Sequence, residues 1–238
     1  MTAQRSAFLA GFRACAPFSL IIVPFSTLFG VVARDAGLDV LQVMAMAAIV
    51  IAGASQFTAI ALLQDNAPVF IALLAALAVN LRMALYSAAL QPHLGRARIG
   101  TRMLMSYLMI DQSYAVAARH FDMTPAMSLD EKVAYYMGCA MLCCPLWYGG
   151  CLAGALIGQR IPASLSLDFA IPICFISLIA PLMRTLPHIV AALVAVTAAI
   201  LLSSLPGSFS LLISAIAAMI AGAQSELWLR RRARTVSE

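Results

Sequence analysis

"LAVNLRMALYSAAL", residues 77–90, decides how the whole chain is read. Asn80 and Arg82 stand there among alanines and leucines. In a soluble helix such an arginine would be ordinary. At the centre of a bilayer it costs about 2.5–3.5 kcal/mol on insertion scales, so it must have a reason to be there. Composition decides which solvent the stretch meets. Of 238 residues, 63% are hydrophobic and 11% charged, and the mean hydropathy is +0.95. Soluble domains are about 45–50% apolar and about 25% charged. An excess of this size suits a chain whose solvent is lipid.

Eight apolar runs can be drawn, at about 14–33, 41–64, 67–90, 103–118, 133–158, 168–183, 187–205 and 208–227. Turn and charge signals such as "ARDAGLD", "QDNAP", "QPHLGRAR" and "SLPGS" separate them. The runs are continuous rather than alternating, which argues against an outer-membrane barrel. Backbone polar groups in lipid must then be satisfied inside helices. The expected fold class is all-α, a polytopic membrane helix bundle of about 7–8 apolar segments. The domain plan is one integral membrane transport domain over 5–228, followed by a basic, mobile cytoplasmic tail over 229–238.

The net charge is +5. Arg96, Arg98 and Arg102 form one basic cluster, and Arg230, Arg231, Arg232 and Arg234 another. Beside apolar runs, such clusters mark cytoplasmic loops rather than a nucleic-acid surface. Counting crossings produces a conflict. Three runs separate Arg5 and Arg13 from the 93–102 loop, and five separate that loop from the basic tail. Odd numbers of full crossings would put these clusters on opposite sides. One run in each half is therefore read as broken or re-entrant. Run 41–64 is one candidate, because Gly53, Ser55 and Gln56 interrupt it. Run 168–183 is the other, because it is short and holds Pro172 and Pro181. Residues 53–79 and 172–198 share the order of break, apolar run, proline turn and apolar run, which fits a transporter repeat. The alternative is that Arg5 and Arg13 are weak determinants of topology.

Six cysteines all lie in apolar runs, with no C-x-x-C pair and no histidine at ligand spacing. They read as small packing residues, and no metal or cofactor is expected. Motifs for zinc proteases, serine hydrolases and P-loops are absent, so no enzyme is expected. Trp147, Tyr148 and Trp228 read as interfacial anchors.

Three places hold polar groups deep in apolar runs. In "GASQF" (53–57), Gln56 is either interhelical glue or part of an unwound point that binds a polar substrate. Arg82, beside Asn80, either snorkels to the interface or faces the bundle interior. Asp111, in "SYLMIDQSYAVAA", has too short a side chain to snorkel and is a functional-site residue by default. Arg82 is its natural partner by type, because pairing would lower the insertion cost of both.

"IAGASQF" (51–57), "VNLRMALYSAALQPHL" (79–94), "LMIDQSYAVAARHF" (108–121) and "LDFAIPICFISLIAPLM" (167–183) resemble the AzlC/YgaZ/BrnF family, the large subunit of branched-chain amino acid exporters. The resemblance runs over about residues 5–225. It implies a multi-pass permease of the bacterial inner membrane. Such a permease would export valine, leucine, isoleucine or methionine with the proton motive force. It would act with a small membrane subunit of the AzlD/YgaH/BrnE type. The matching positions are Gly53, Ser55, Gln56, Asn80, Arg82 and Asp111, and these form the candidate substrate site. Phe57, Met83 and Leu85 are candidates for its apolar wall by position. Met83 stands where the family pattern has histidine, and Gln112 where it has a second carboxylate; both departures remove a titratable group. A transporter or channel for another small polar metabolite is the alternative function, and an intramembrane enzyme a more remote one.

Overall fold

The computed structural model describes residues 3–158, 183, 185–203 and 209–236. Among these, all regular structure is helical. The chain forms two compact units, residues 1–61 with 76–167, and residues 62–75 with 168–238.

The first unit is built on a seam. Helix α1 (Ala3–Cys15), a short 3-10 turn at Ala16–Phe18 and α2 (Ser19–Asp35) form one apolar stretch. It lies along α8 (Leu129–Gly158). Small residues make the approach possible. A Cβ on Gly138 would overlap the backbone of Phe8, one on Gly150 the side chain of Ser26, and one on Gly154 the backbone of Thr27. Gly158 faces Val31 and Arg34. Low numbers meet low and high meet high, so the two helices run parallel. The Gln4 amide donates to Asp130 at 3.2 Å, which fixes their common starting end. We call this the near end, and the Arg34–Gly158 end the far end.

Parallel packing restricts everything in between. The chain leaves α2 at the far end and must start α8 at the near end. α3 (Val40–Ile49) starts from a capping box in which Asp39 accepts from the Gln42 amide at 2.7 Å and Gln42 returns a bond at 2.8 Å. It ends halfway along the seam, where the Ala48 carbonyl accepts from the Tyr107 hydroxyl at 2.7 Å, with the Tyr148 hydroxyl 3.1 Å from the same group. Residues 50–52 are not helical. α4 (Gly53–Gln64) then starts beside Trp147 and Phe25. Its Phe57 packs on both Phe25 and Phe29, centroids 5.0 and 5.6 Å away, so α4 heads back towards the far end.

α5 (Val69–Leu94) is one helix of 26 residues, about 39 Å long and able to cross in a single pass. α6 (Ile99–Tyr107) starts at the near end and climbs parallel to α8: Met105 meets Tyr136, and Leu108 meets Cys144. Residues 108–110 break the helix, and α7 (Asp111–Met123) returns. His120 stacks on Tyr135 at 4.0 Å, near the start of α8. α6–α7 is thus a hairpin that enters and leaves at the near end. α5 runs parallel to α7, with Arg82 beside Asp111, Tyr86 on Tyr114 and His93 beside Asp122. Its Leu94 therefore lies at the near end. Between the far-end loop at 36–39 and Leu94 the chain makes one net crossing. α5 supplies it, and α3–α4 is a second hairpin, entering from the far end.

Two expectations are thereby sharpened. Run 41–64 is broken just before Gly53. Run 103–118, counted above as a crossing, is also broken and returns. The other candidate break, 168–183, lies outside the described residues apart from Met183. Two further readings are corrected. Trp147 and Tyr148 are not interfacial anchors: α8 starts at Leu129, so both sit mid-helix, Trp147 buried against Phe25 and Phe29. Leu85 is 70% exposed on α5 with Leu77 and Leu81, and faces outward rather than towards a pocket.

In the second unit, α9 (Leu186–Leu201) packs on α10 (Phe209–Val236). Gly222 provides close approach there, facing Ala191 and the Pro187 carbonyl. α10 continues past Trp228, whose ring lies 4.3 Å from the Arg232 guanidinium carbon. The basic segment is helical as far as Val236.

The seam makes a controlled prediction. Gly149 and Gly154 share a helix, but a Cβ on Gly149 meets nothing, while one on Gly154 would overlap the Thr27 carbonyl. Gly149→Ala should be neutral or stabilise by up to about 1 kcal/mol through helix propensity. Gly154→Ala should destabilise by about 1–3 kcal/mol through overpacking. Thermal unfolding of the two purified variants checks this contrast.

Candidate functional site

Breaking a helix inside lipid frees backbone groups that need partners. Side chains provide them at both tips. The Tyr107 hydroxyl takes the Ala48 carbonyl at the end of α3. The Tyr136 hydroxyl takes the Met105 carbonyl at 2.9 Å, and the Cys144 thiol the Leu108 carbonyl at 3.5 Å. Ser113 folds back on Ile110, its hydroxyl 3.1 Å from the amide and 3.0 Å from the carbonyl. Tyr107 binds α3 while belonging to α6, so the two tips are tied together at mid-depth.

Asp111 is the first residue of α7. A carboxylate there meets the positive end of the helix dipole, equivalent to about half a charge. It also meets Arg82: Nη2 to Oδ2 is 3.0 Å, with the side chains 26% and 30% exposed. One turn further along, the rings of Tyr86 and Tyr114 stack at 4.0 Å and 8°. His93 Nε2 and Asp122 lie 3.3 Å apart near the other end of the same interface. Arg82 to His93 and Asp111 to Asp122 are both steps of eleven residues, about three turns. That shared spacing is a signal present in the sequence alone.

Not every bonding position at the pair is filled. Arg82 Nε, Asp111 Oδ1 and Asn80 Oδ1 are buried without a hydrogen-bond partner. Buried polar groups normally have one, and an orphan costs about 1–3 kcal/mol. Arg82 therefore points inward to Asp111 and does not snorkel.

At the other tip, α4 carries no acid in its first turn, so its dipole end is not neutralised. Ser55 donates to the Ala76 carbonyl at 2.9 Å, which fixes α4 to α5 one turn before Asn80. Gln56 is fully buried, and neither its Oε1 nor its Nε2 has a partner. It is not interhelical glue in this arrangement. Gly53 has a packing duty: a Cβ there would come within 2.5 Å of Trp147 and 2.6 Å of Phe25. Phe57 is buried in this same aromatic cluster.

The six candidate positions thus fall into two groups. Arg82, Asp111 and Asn80 belong to the α5–α7 face. Gly53, Ser55 and Gln56 form the first turn of α4, joined to α5 by the Ser55–Ala76 bond. Tyr107, Tyr86, Tyr114, His93 and Asp122 were missed as site neighbours. Cys15, Cys139 and Cys143 are buried free thiols, and among the described residues no cluster could hold a metal ion.

Long apolar helices, discontinuous helices meeting at mid-depth and a half-buried ion pair beside one of the breaks define an integral membrane protein. The chain belongs to the AzlC protein family, whose model matches residues 17–161, the stretch from α2 to just past α8. It is similar to Inner membrane protein YgaZ of Escherichia coli (strain K12), 28% identical over 207 residues, which cover 84% of this chain and 83% of that protein. No solved structure matches.

The pair invites a double-mutant cycle. Arg82→Ala and Asp111→Ala should each destabilise the protein, because each leaves the partner uncompensated. The double variant should be more stable than the summed losses imply, with a coupling of about 1–3 kcal/mol. Denaturation of the purified variants measures this, and strict additivity would show that the two charges act independently.

Proposed function

We propose that this protein is the large subunit of a secondary transporter that exports branched-chain amino acids across the bacterial inner membrane. The observation that carries the reading is Gln56. A fully buried amide with both atoms unpartnered, in the first turn of a broken helix, is costly unless a ligand completes it. The free amides of that turn suit a carboxylate, and the dipole favours one. Asp111 offers the opposite charge for an ammonium group. An aliphatic amino acid presents both charges and an apolar side chain. Discrimination among such side chains is worth only about 1–3 kcal/mol per methylene, so overlapping specificity for leucine, valine, isoleucine and methionine is part of the proposal.

Coupling to the proton motive force is assigned to Asp111. Its protonation would release the Arg82 guanidinium and alter the α5–α7 interface. Met83 and Gln112 supply no further titratable group beside it. Orientation follows from the basic residues. Arg5 and the 95–102 loop share the near end, which the positive-inside rule assigns to the cytoplasm. A small membrane subunit of the AzlD/YgaH/BrnE type completes the transporter, and the lipid bilayer is its solvent.

The test is leucine efflux from proteoliposomes holding this chain with its small subunit, with and without an imposed pH gradient. Saturable efflux stimulated by the gradient supports the proposal, and its absence in a folded complex rejects it. Gln56→Leu keeps volume and removes the amide. It should be produced in normal amount yet bind leucine about ten- to hundredfold more weakly, as expected for losing a hydrogen bond to a charged group. Leucine-dependent thermal stabilisation reads this directly, and an unchanged shift would remove Gln56 from the site.

A further inference from the structure

Away from the ion pair, α5, α6 and α8 enclose a hollow of about 390 Å³ near the near end. Its walls are mostly apolar, with Leu90 and Leu94 on α5, Met105 on α6 and Met109 in the break, beside the polar Ser87, Gln91, Ser106 and Tyr136. Its rim is basic. Arg102 lines it, and so do Gly95 and Ile99, which bracket the loop carrying Arg96 and Arg98. From Arg82 to Ile110 the sequence has no aspartate or glutamate. The acids at the start of α8 are engaged elsewhere: Asp130 accepts from Gln4, and Glu131 from the Ser128 amide and hydroxyl at 2.9 and 2.7 Å.

We infer that this hollow binds an anionic phospholipid of the phosphatidylglycerol type. Arg102 would meet the headgroup phosphate, and an acyl chain would lie between Leu90, Leu94, Met105 and Met109. Two features choose the occupant. The rim is positive, and the acids at this end, Asp122 beside His93 and the two at the start of α8, have other partners, so net negative charge is favoured over a zwitterionic headgroup. The apolar walls continue from the basic rim towards mid-membrane, an arrangement that matches a phosphate joined to a hydrocarbon chain. A free phosphate would leave the walls unused. Guanidinium suits the phosphate through its paired donors.

The experiment uses the purified full-length protein in detergent, with phosphatidylglycerol, phosphatidylcholine or inorganic phosphate added, and reads thermal unfolding and lipid affinity. Phosphatidylglycerol should raise the unfolding temperature more than phosphatidylcholine does, and phosphate alone should not. Arg102→Gln should weaken phosphatidylglycerol binding about fivefold, the usual contribution of one surface arginine. Arg5→Gln, a change of equal charge outside the hollow, should leave it intact. Ser87→Trp, which fills the hollow from an exposed lining position, should abolish the difference between the two lipids. Equal shifts from both lipids would overturn the inference. So would a phosphate effect of the same size, undiminished binding in Arg102→Gln, or displacement of the lipid by leucine.

Discussion

The parallel contact between α1–α2 and α8 constrains everything else in the first unit. Parallel helices joined by an intervening chain require one net crossing in between. Five helices fill that interval, and only α5 is long enough to cross alone. The other four must form two hairpins, one from each end. The seam can be this close because Gly138, Gly150 and Gly154 let backbone touch backbone or a small side chain. In lipid, where apolar surface brings no hydrophobic gain between helices, such small-residue approach is the main packing force.

The hairpins bring a second requirement. Their tips lie at mid-depth, where no water can serve broken helix ends. Tyr107, Tyr136, Cys144 and Ser113 satisfy the freed groups, so the breaks are supported by tertiary contacts. Among the described residues, the buried side-chain polar atoms left without a partner are informative. They are Gln56, Asn80, Arg82 and Asp111, on the two tips and the helix between them, together with the Trp147 indole and Arg34 Nε. The Trp147 ring lies against Gly53, at the start of α4. The Arg82–Asp111 contact makes an arginine tolerable in "LAVNLRMALYSAAL" by giving it a partner, itself placed at a helix start.

Much of this was legible in the sequence. Helical class, apolar runs, the break at "GASQF" and the pairing of Arg82 with Asp111 all followed from hydropathy and from the cost of charge in lipid. The charge conflict between Arg5 and the 93–102 loop pointed to a returning segment, and α3–α4 returns. The second break was not legible. "YLMID" (107–111) has no glycine or proline, and its support comes from α8, far away in sequence. The aromatic positions were misread against the sequence itself: Trp147 and Tyr148 already lie near the middle of the run 133–158, too deep for interfacial anchors. Gly53 was legible as a break in run 41–64, but the ring packing from α2 and α8 that also requires a glycine there was not.

The account stands or falls on the two hairpins returning to the ends they came from. Single cysteines at Gly37, Gly100 and Pro125, each in a cysteine-free background, decide it when intact cells are treated with a membrane-impermeant thiol reagent. All three positions are exposed in the first unit. The account predicts labelling at Gly37 and none at Gly100 or Pro125 until the membrane is permeabilised. Labelling of Gly100 together with Gly37 would mean that α3–α4 crosses. Opposite behaviour of Gly100 and Pro125 would mean that α6–α7 crosses, and either result would contradict the architecture.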